Sequence, residues 1–174
     1  MPIRLVPFSD DHLAGMRELV ADPDSVRFTR IPEPPPHDFA EEWLERYRPG
    51  QPDPTRAGFA IVDDDDTFLG VALAPSIDHP GRQVELGYLV APWARGRGVA
   101  AEALRQLTSW AFDELGALRA YLIINATNGA SRRVAERAGY QREGLMRSLY
   151  LKQDQREDCE LWSRLPSDPP PDGG

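Results

Sequence analysis

The sequence predicts an α/β domain whose mixed, mostly antiparallel sheet of about seven strands is flanked by about four helices. Three observations carry this. Apolar runs of strand length alternate with segments whose apolar residues recur at helical spacing. A strand over residues 84–90, a glycine-bearing loop and an alanine-rich helix follow one another without a break. Two long β-like segments close the chain on either side of a polar turn. The predicted order is β-α-α-β-β-β-α-β-α-β-β.

In chain order, residues 3–6 form a short strand that Pro7 ends. Ser9 caps a helix with Asp10 and Asp11 in its favourable first turn, and Leu13, Met16, Leu19 and Val20 form its apolar face. Residues 24–36 read as irregular and end in three prolines. A helix over 37–47 carries Phe39, Trp43, Leu44 and Tyr47 on one side, read as core. A loop spans 49–55. Strands at 59–62 and 68–74 flank Asp63, Asp64, Asp65 and Asp66. These fit a solvated turn better than a metal site, because adjacent side chains in a hairpin tip diverge. Residues 75–81 turn the chain into the 84–90 strand.

The helix over 98–115 presents Ala100, Ala103, Leu104, Leu107 and Ala111 as a core face and ends at Gly116. Residues 119–124 read as a strand buried on both faces. Asn128 caps a helix that carries Val134, Ala135 and Ala138 inward and stops at Gly139. Strands at 140–150 and 156–165 flank a turn at 152–155, and Tyr140 reads as core. The chain is assigned one domain over residues 1–166 and a disordered Pro/Gly tail over 167–174.

Composition excludes several function classes. The 174 residues suffice for a single core, with 41% hydrophobic and 28% charged residues. A net charge of −8 argues against nucleic-acid binding, which needs a basic face, and is compatible with cationic partners. Cys159, the one cysteine, excludes a disulfide framework and suits a cytoplasmic location. The first residues lack a signal-peptide h-region, and no apolar run approaches the roughly 20 residues of a membrane helix, so no membrane association is expected. His12, His37 and His79 lack ligand spacing, so no metal is expected.

The chemistry concentrates after the 84–90 strand, in Arg95, Gly96, Arg97, Gly98, Val99 and Ala100. Glycines at a helix mouth let the backbone approach a ligand, the first-turn N–H groups point at it, and the helix dipole favours an anion. This is a phosphate-binding arrangement. Residues 96–101 satisfy G-x-G-x-x-A, but residues 91–95 separate them from the strand and no carboxylate stands near 118–124 to hold a ribose. A P-loop needs Gly-Lys-Ser/Thr, and the chain's one lysine is Lys152. A plain glycine turn between strand and helix is the reading without a ligand.

With Glu85-Leu86-Gly87-Tyr88, Arg95 to Ala100, and the run from Asn128 to Tyr140 in this order, residues 84–165 resemble the GNAT superfamily. Within it they are similar to the Rim-type group that acetylates ribosomal-protein N-termini. Arg95, Gly98 and Ala100 match its Gln/Arg-x-x-Gly-x-Gly/Ala pyrophosphate loop. The N-terminal half matches in layout alone. The resemblance implies an acetyl-CoA-dependent N-acetyltransferase that moves acetyl directly to an amine, as monomer or homodimer, without a metal. It places the pyrophosphate on Arg95, Gly96, Arg97, Gly98, Val99 and Ala100, and pantetheine against Leu89, Val90 and Asn128, in a gap between splayed strands. A strand N–H there would also polarise the thioester carbonyl.

Glu85, ionisable in an apolar strand, is the candidate general base; its other reading is a hydrogen-bonded strand position. Ser131 is the candidate acid and lies near the CoA sulfur in Rim-type enzymes; its other reading is a first-turn hydroxyl bonded to local backbone. Arg132 and Arg133 read equally as phosphate contacts or as a solvated helix face. The acceptor is a peptide N-terminus or a small amine. A non-catalytic acyl-CoA-binding module is the alternative.

Overall fold

The computed structural model describes residues 1–50 and 55–171. Its strands are β1 (Arg4–Pro7), β2 (Ala57–Val62), β3 (Phe68–Asp78), β4 (Gln83–Val90), β5 (Arg119–Asn125), β6 (Gln141–Lys152) and β7 (Gln155–Arg164). Its helices are α1 (Leu13–Ala21), α2 (Pro23–Val26), α3 (Phe39–Tyr47), α4 (Val99–Asp113) and α5 (Gly129–Arg137). The strands form one sheet in the order β1-β2-β3-β4-β5-β7-β6. The β4–β5 pair is parallel and the other five pairs are antiparallel. This is the mixed, mostly antiparallel seven-stranded sheet that the sequence predicts.

Among the described residues five α-helices form, where about four are expected. The addition is α2, inside the stretch read as irregular. Asp22 is extended, its carboxylate accepts the Ser25 N–H at 2.8 Å, and Pro23 opens the helix. β3 also differs from expectation. The sequence places a turn at Pro75, yet the strand continues to Asp78. Its register against β4 slips between Leu73 and Ser76, and this bulge absorbs a residue that has no N–H to donate. On α4 the core face includes Ala101 and Thr108, while Ala100 is half-buried.

The sheet separates two apolar layers. Val84, Leu86, Ala120, Leu122 and Ile124 pack with α4 and α5 through Leu104, Leu107 and Ala135. Ala60, Val71 and Leu73 pack with α1 and α3 through Met16, Leu19, Trp43 and Leu44. Each large side chain so buried contributes about 1.5–3 kcal/mol, which seats the helices against the sheet. Trp43, Leu44 and Tyr47 are core, as read; so is Tyr140, whose hydroxyl lies 2.7 Å from that of Thr108. β5 is not buried on both faces. Ala120, Leu122 and Ile124 are buried, whereas Tyr121 and Ile123 are half-buried and border a cleft.

At the aspartate tip, Asp63 Oδ1 accepts the N–H groups of Asp65 and Thr67 at 3.1 and 2.8 Å, a turn closed on itself. Of the loop expected over 49–55, residues 51–54 lie outside the described residues, as do residues 172–174 of the tail. The preceding tail residues fold back. Asp168 Oδ2 accepts the Leu165 N–H at 2.8 Å, and Arg164 donates to the Pro169 carbonyl at 3.3 Å.

Glu143 on β6 accepts both arms of the Arg119 guanidinium from β5, at 2.5 and 2.9 Å, and the Ser163 hydroxyl of the intervening β7. The guanidinium, then the hydroxyl, hold its carboxyl down at about 2. A carboxyl depressed by folding stabilises the fold above its unfolded value of about 4.3, and that contribution is lost as pH falls through the folded value. Urea melts between about pH 5 and about pH 2 are expected to show Glu143→Gln losing less stability on acidification than the unchanged chain.

Candidate functional site

The site begins where two neighbouring strands part. β4 and β5 pair only at Gln83–Arg119, Val84–Ala120 and Glu85–Tyr121. Beyond Glu85, β4 stays paired with β3 up to Val90, and β5 stays paired with β7 up to Asn125. A wedge-shaped gap therefore opens between Leu86–Val90 and the second half of β5. Ala91 donates its N–H to the Leu69 carbonyl of β3 at 2.8 Å. Backbone polar groups alternate sides along a strand, so those of Leu89 face β3 and those of Val90 face the gap. Arg95 Nε reaches the Val90 carbonyl at 3.3 Å from that side.

The glycine loop stands at the mouth of the gap. Gly96 and Gly98 have φ of +72° and +80°, a left-handed backbone that side chains disfavour. A Cβ built on either glycine meets no atom within 4 Å, so the loop opens onto free space. Gly98 caps the 15-residue helix α4, whose first-turn N–H groups follow at Val99 and Ala100. The two arginines do not point together. Arg95 ties the loop to α2, at 2.6 Å from Asp22 Oδ2 and 2.7 Å from Ser25 Oγ. Burial opposes ionisation of Asp22, but the bonds from Ser25 and Arg95 outweigh it and lower its carboxyl. Arg97 is exposed, with Nη2 2.7 Å from Met1 Sδ.

On the helix-α5 face of the gap, Asn128 Oδ1 accepts the Ser131 N–H at 3.1 Å and so caps α5. This leaves the Ser131 hydroxyl free to turn outward from its helix, and it lies 2.9 Å from the Tyr88 hydroxyl. Burial pushes the Tyr88 phenol up to about 12, against the bond from Ser131. Arg132 does not point into the gap: it turns toward the buried carboxylate of Glu160, 3.8 Å away.

Glu85 lies three residues from Tyr88 on one strand, hence on the opposite sheet face. It is buried and belongs to the last paired rung before the gap. Its carboxylate is paired with the Arg30 guanidinium. Burial raises the Glu85 carboxyl, while the charge and hydrogen bond of Arg30 lower it; the net direction is upward. Arg30 in turn stacks 4.9 Å from the Tyr150 ring centroid. The irregular segment that carries Arg30 is held by Lys152. That ammonium donates to the Val26, Thr29 and Ile31 carbonyls at 2.8, 3.0 and 2.6 Å and lies 2.9 Å from Glu33. Cys159, on this face, is buried with its thiol pushed up to about 11 by burial, a poor nucleophile.

The structure thus brings Glu85, Val90, Gly96, Gly98, Val99, Ala100, Asn128 and Ser131 to one gap. It turns Leu89 toward β3 and the Arg95 guanidinium toward α2. Three residues escaped the sequence reading. Tyr88 carried a signal, a phenol on the same strand as Glu85 at odd spacing. Arg30 and Lys152 carried none, because their partners lie 55 and more than 100 residues away. Among the described residues, no group of three or more His, Cys, Asp or Glu side chains is placed to hold a metal ion. No helix among them is long and apolar enough to cross a membrane.

Comparison with known proteins bears on the family and the fold. Over 101 residues the chain is 31% identical to the "Putative ribosomal N-acetyltransferase YdaF" of Bacillus subtilis (strain 168), covering 58% of this chain and 55% of that protein. Over 102 residues it is 25% identical to the spermidine N(1)-acetyltransferase of Escherichia coli (strain K12), covering 58% and 55%. The chain spans about half the length of these curated relatives. A crystal structure of spermidine N-acetyltransferase from Vibrio cholerae, in complex with CoA and spermine, superposes with a TM-score of 0.83 at 19% identity. It covers 95% of this chain and 96% of that one, a likeness of fold. Residues 3–141 match the family model of the acetyltransferase (GNAT) domain, and the chain belongs to that family.

Proposed function

We propose that this chain is an acetyl-CoA-dependent N-acetyltransferase that passes acetyl directly to a primary amine in a ternary complex. The acceptor is a protein N-terminal α-amine or a small-molecule amine. The observation that carries this is the gap between β4 and β5, with an open loop of two left-handed glycines at its mouth. The donor set fits CoA. Backbone N–H groups at Gly96, Gly98, Val99 and Ala100, with the α4 dipole, suit a pyrophosphate; Arg97 adds charge, and Arg95 adds its own when its guanidinium turns from Asp22 to the ligand. The Val90 backbone and Asn128 suit pantetheine, with Leu89 on the adjoining rung. Acetyl-CoA, when bound, supplies an acetyl group activated as a thioester.

The chain's own groups divide the proton work between the two sheet faces. Glu85 takes the proton from the attacking amine, directly or through water. Ser131, backed by the Tyr88 hydroxyl, delivers a proton to the departing thiolate. An α-amine, with a pKa of about 7.7–8.0, is partly neutral near pH 7, unlike a side-chain amine at about 10.4. The match to a ribosomal N-acetyltransferase supports a Rim-type acceptor of this kind, and the spermidine enzymes support a small amine. The reading treats residues 1–166 as one catalytic unit, cytoplasmic, monomeric or homodimeric, with no need for metal, nucleic acid or membrane. The pairing of Glu85 with Arg30 favours a second reading, an acyl-CoA-binding module without turnover, because a carboxylate held by a guanidinium is a weaker base.

Two measurements test this. Titration calorimetry is expected to show acetyl-CoA binding, lost in Gly98→Trp while circular dichroism is unchanged; no binding to the unchanged chain overturns the proposal. In a thiol-release assay, Glu85→Gln is expected to lower kcat by about 10²–10⁴-fold. Activity requires the ionised carboxylate, so it falls as pH drops through the Glu85 pKa. That limb is expected above the ordinary glutamate value of about 4.3 and absent in Glu85→Gln. Binding without thiol release from any amine establishes the second reading.

A further inference from the structure

Resting on the acetyltransferase reading, we propose that Arg30 sets acceptor specificity. Its guanidinium occupies the cation position over Glu85 and Tyr150. The site therefore rejects polycationic amines and takes a singly charged amine with an oxygen acceptor beside it.

The cleft face of the sheet offers what a cation seeks, a buried carboxylate and an aromatic ring, and the chain fills that position itself. Arg30 pairs with Glu85 and stacks on Tyr150. The other two glutamates of this wall are matched in the same way. Glu157 pairs with Arg27 at 2.9 Å and accepts from Asn125 at 2.6 Å. Glu33 pairs with Lys152 at 2.9 Å and accepts from Gln153 at 2.7 Å. A polyamine entering here meets three carboxylates that already hold internal cations. A polyamine ammonium there must displace a cation already in place, so it gains no newly neutralised carboxylate.

The same arginine supplies the opposite selectivity. Its side chain remains 55% exposed while Glu85 engages one Nη, so donors of the planar fork are left open to a ligand. A peptide carbonyl or a carboxylate adjacent to the amine is the group that fork receives. Lys152 is the positioning residue behind it, since it fixes the carbonyls of Val26, Thr29 and Ile31 on both sides of Arg30.

Initial rates by thiol release, on the full chain at saturating acetyl-CoA, compare four acceptors: an alanine-first tripeptide amide, free alanine, propylamine and spermidine. The unchanged chain is expected to prefer one of the two oxygen-bearing amines over propylamine and spermidine by about tenfold or more in kcat/KM. The peptide leading alanine identifies the carbonyl as the group read, and the reverse identifies the carboxylate. Arg30→Met is expected to cut that preference about tenfold to a hundredfold through KM, and to raise spermidine turnover. Lys152→Met is expected to shift KM in the same direction with kcat little changed. Arg30→Lys keeps spermidine excluded, and thermal melts of each variant separate misfolding from altered recognition. Best turnover of spermidine by the unchanged chain, or an unaltered acceptor ranking in a folded Arg30→Met, overturns the role of Arg30 and leaves the acetyltransferase reading standing. Failure of the chain to bind acetyl-CoA overturns both.

Discussion

The short parallel pairing of β4 with β5 is the constraint on which the rest of the structure depends. Three rungs hold the halves of the sheet together, and the fourth is missing. A strand leaves a neighbour only if something bends it and something else satisfies its freed polar groups. The bulge in β3 lies against the same rungs, between Leu73–Gly87 and Ser76–Glu85. It increases local twist just where β4 diverges. Pro75 suits that bulge because it has no N–H to lose. A proline that reads locally as a strand end thus helps open the gap on the far side of the neighbouring strand.

Around the gap, long polar side chains do the fastening that regular ladders cannot. Arg95 joins the glycine loop to Asp22 and Ser25 at the start of α2. The chain then runs through Val26 to Arg30, and Lys152 collects its carbonyls. The loop that faces an anion and the segment that faces the cleft are consequently linked by one short stretch of chain. An irregular segment packed on a sheet must find donors for its carbonyls, and a single ammonium with three N–H groups supplies them at low cost in space.

Much of this was legible in the sequence, for identifiable reasons. The Gly96 and Gly98 loop, the Asn128 cap and the closing hairpin are local, and local rules describe them. Tyr140 reads as core because the family resemblance puts it at a position that Phe or Tyr usually fills for packing. The misses share a cause. Pro75 reads locally as a turn, since a bulge is set by the partner strand's register. Helix α2 is too short to show a period, although its cap and proline are visible in retrospect. The pairing of Tyr88 with Ser131, of Arg30 with Glu85 and of Arg95 with Asp22 joins residues 43, 55 and 73 positions apart. Periodicity carries no information about such contacts.

Lys152 is also the chain's only side-chain amine. Its nitrogen is surrounded by three carbonyl acceptors and a carboxylate, and its side chain is 9% exposed, so it is shielded from any electrophile. Every other long basic side chain is an arginine, and a guanidinium keeps its charge without being a nucleophile toward a thioester. A protein whose fold is suited to an activated acyl group thus presents that group with almost nothing of its own to modify. With arginine at every other long basic position and the one lysine enclosed, the side chains offer no exposed amine for self-acylation.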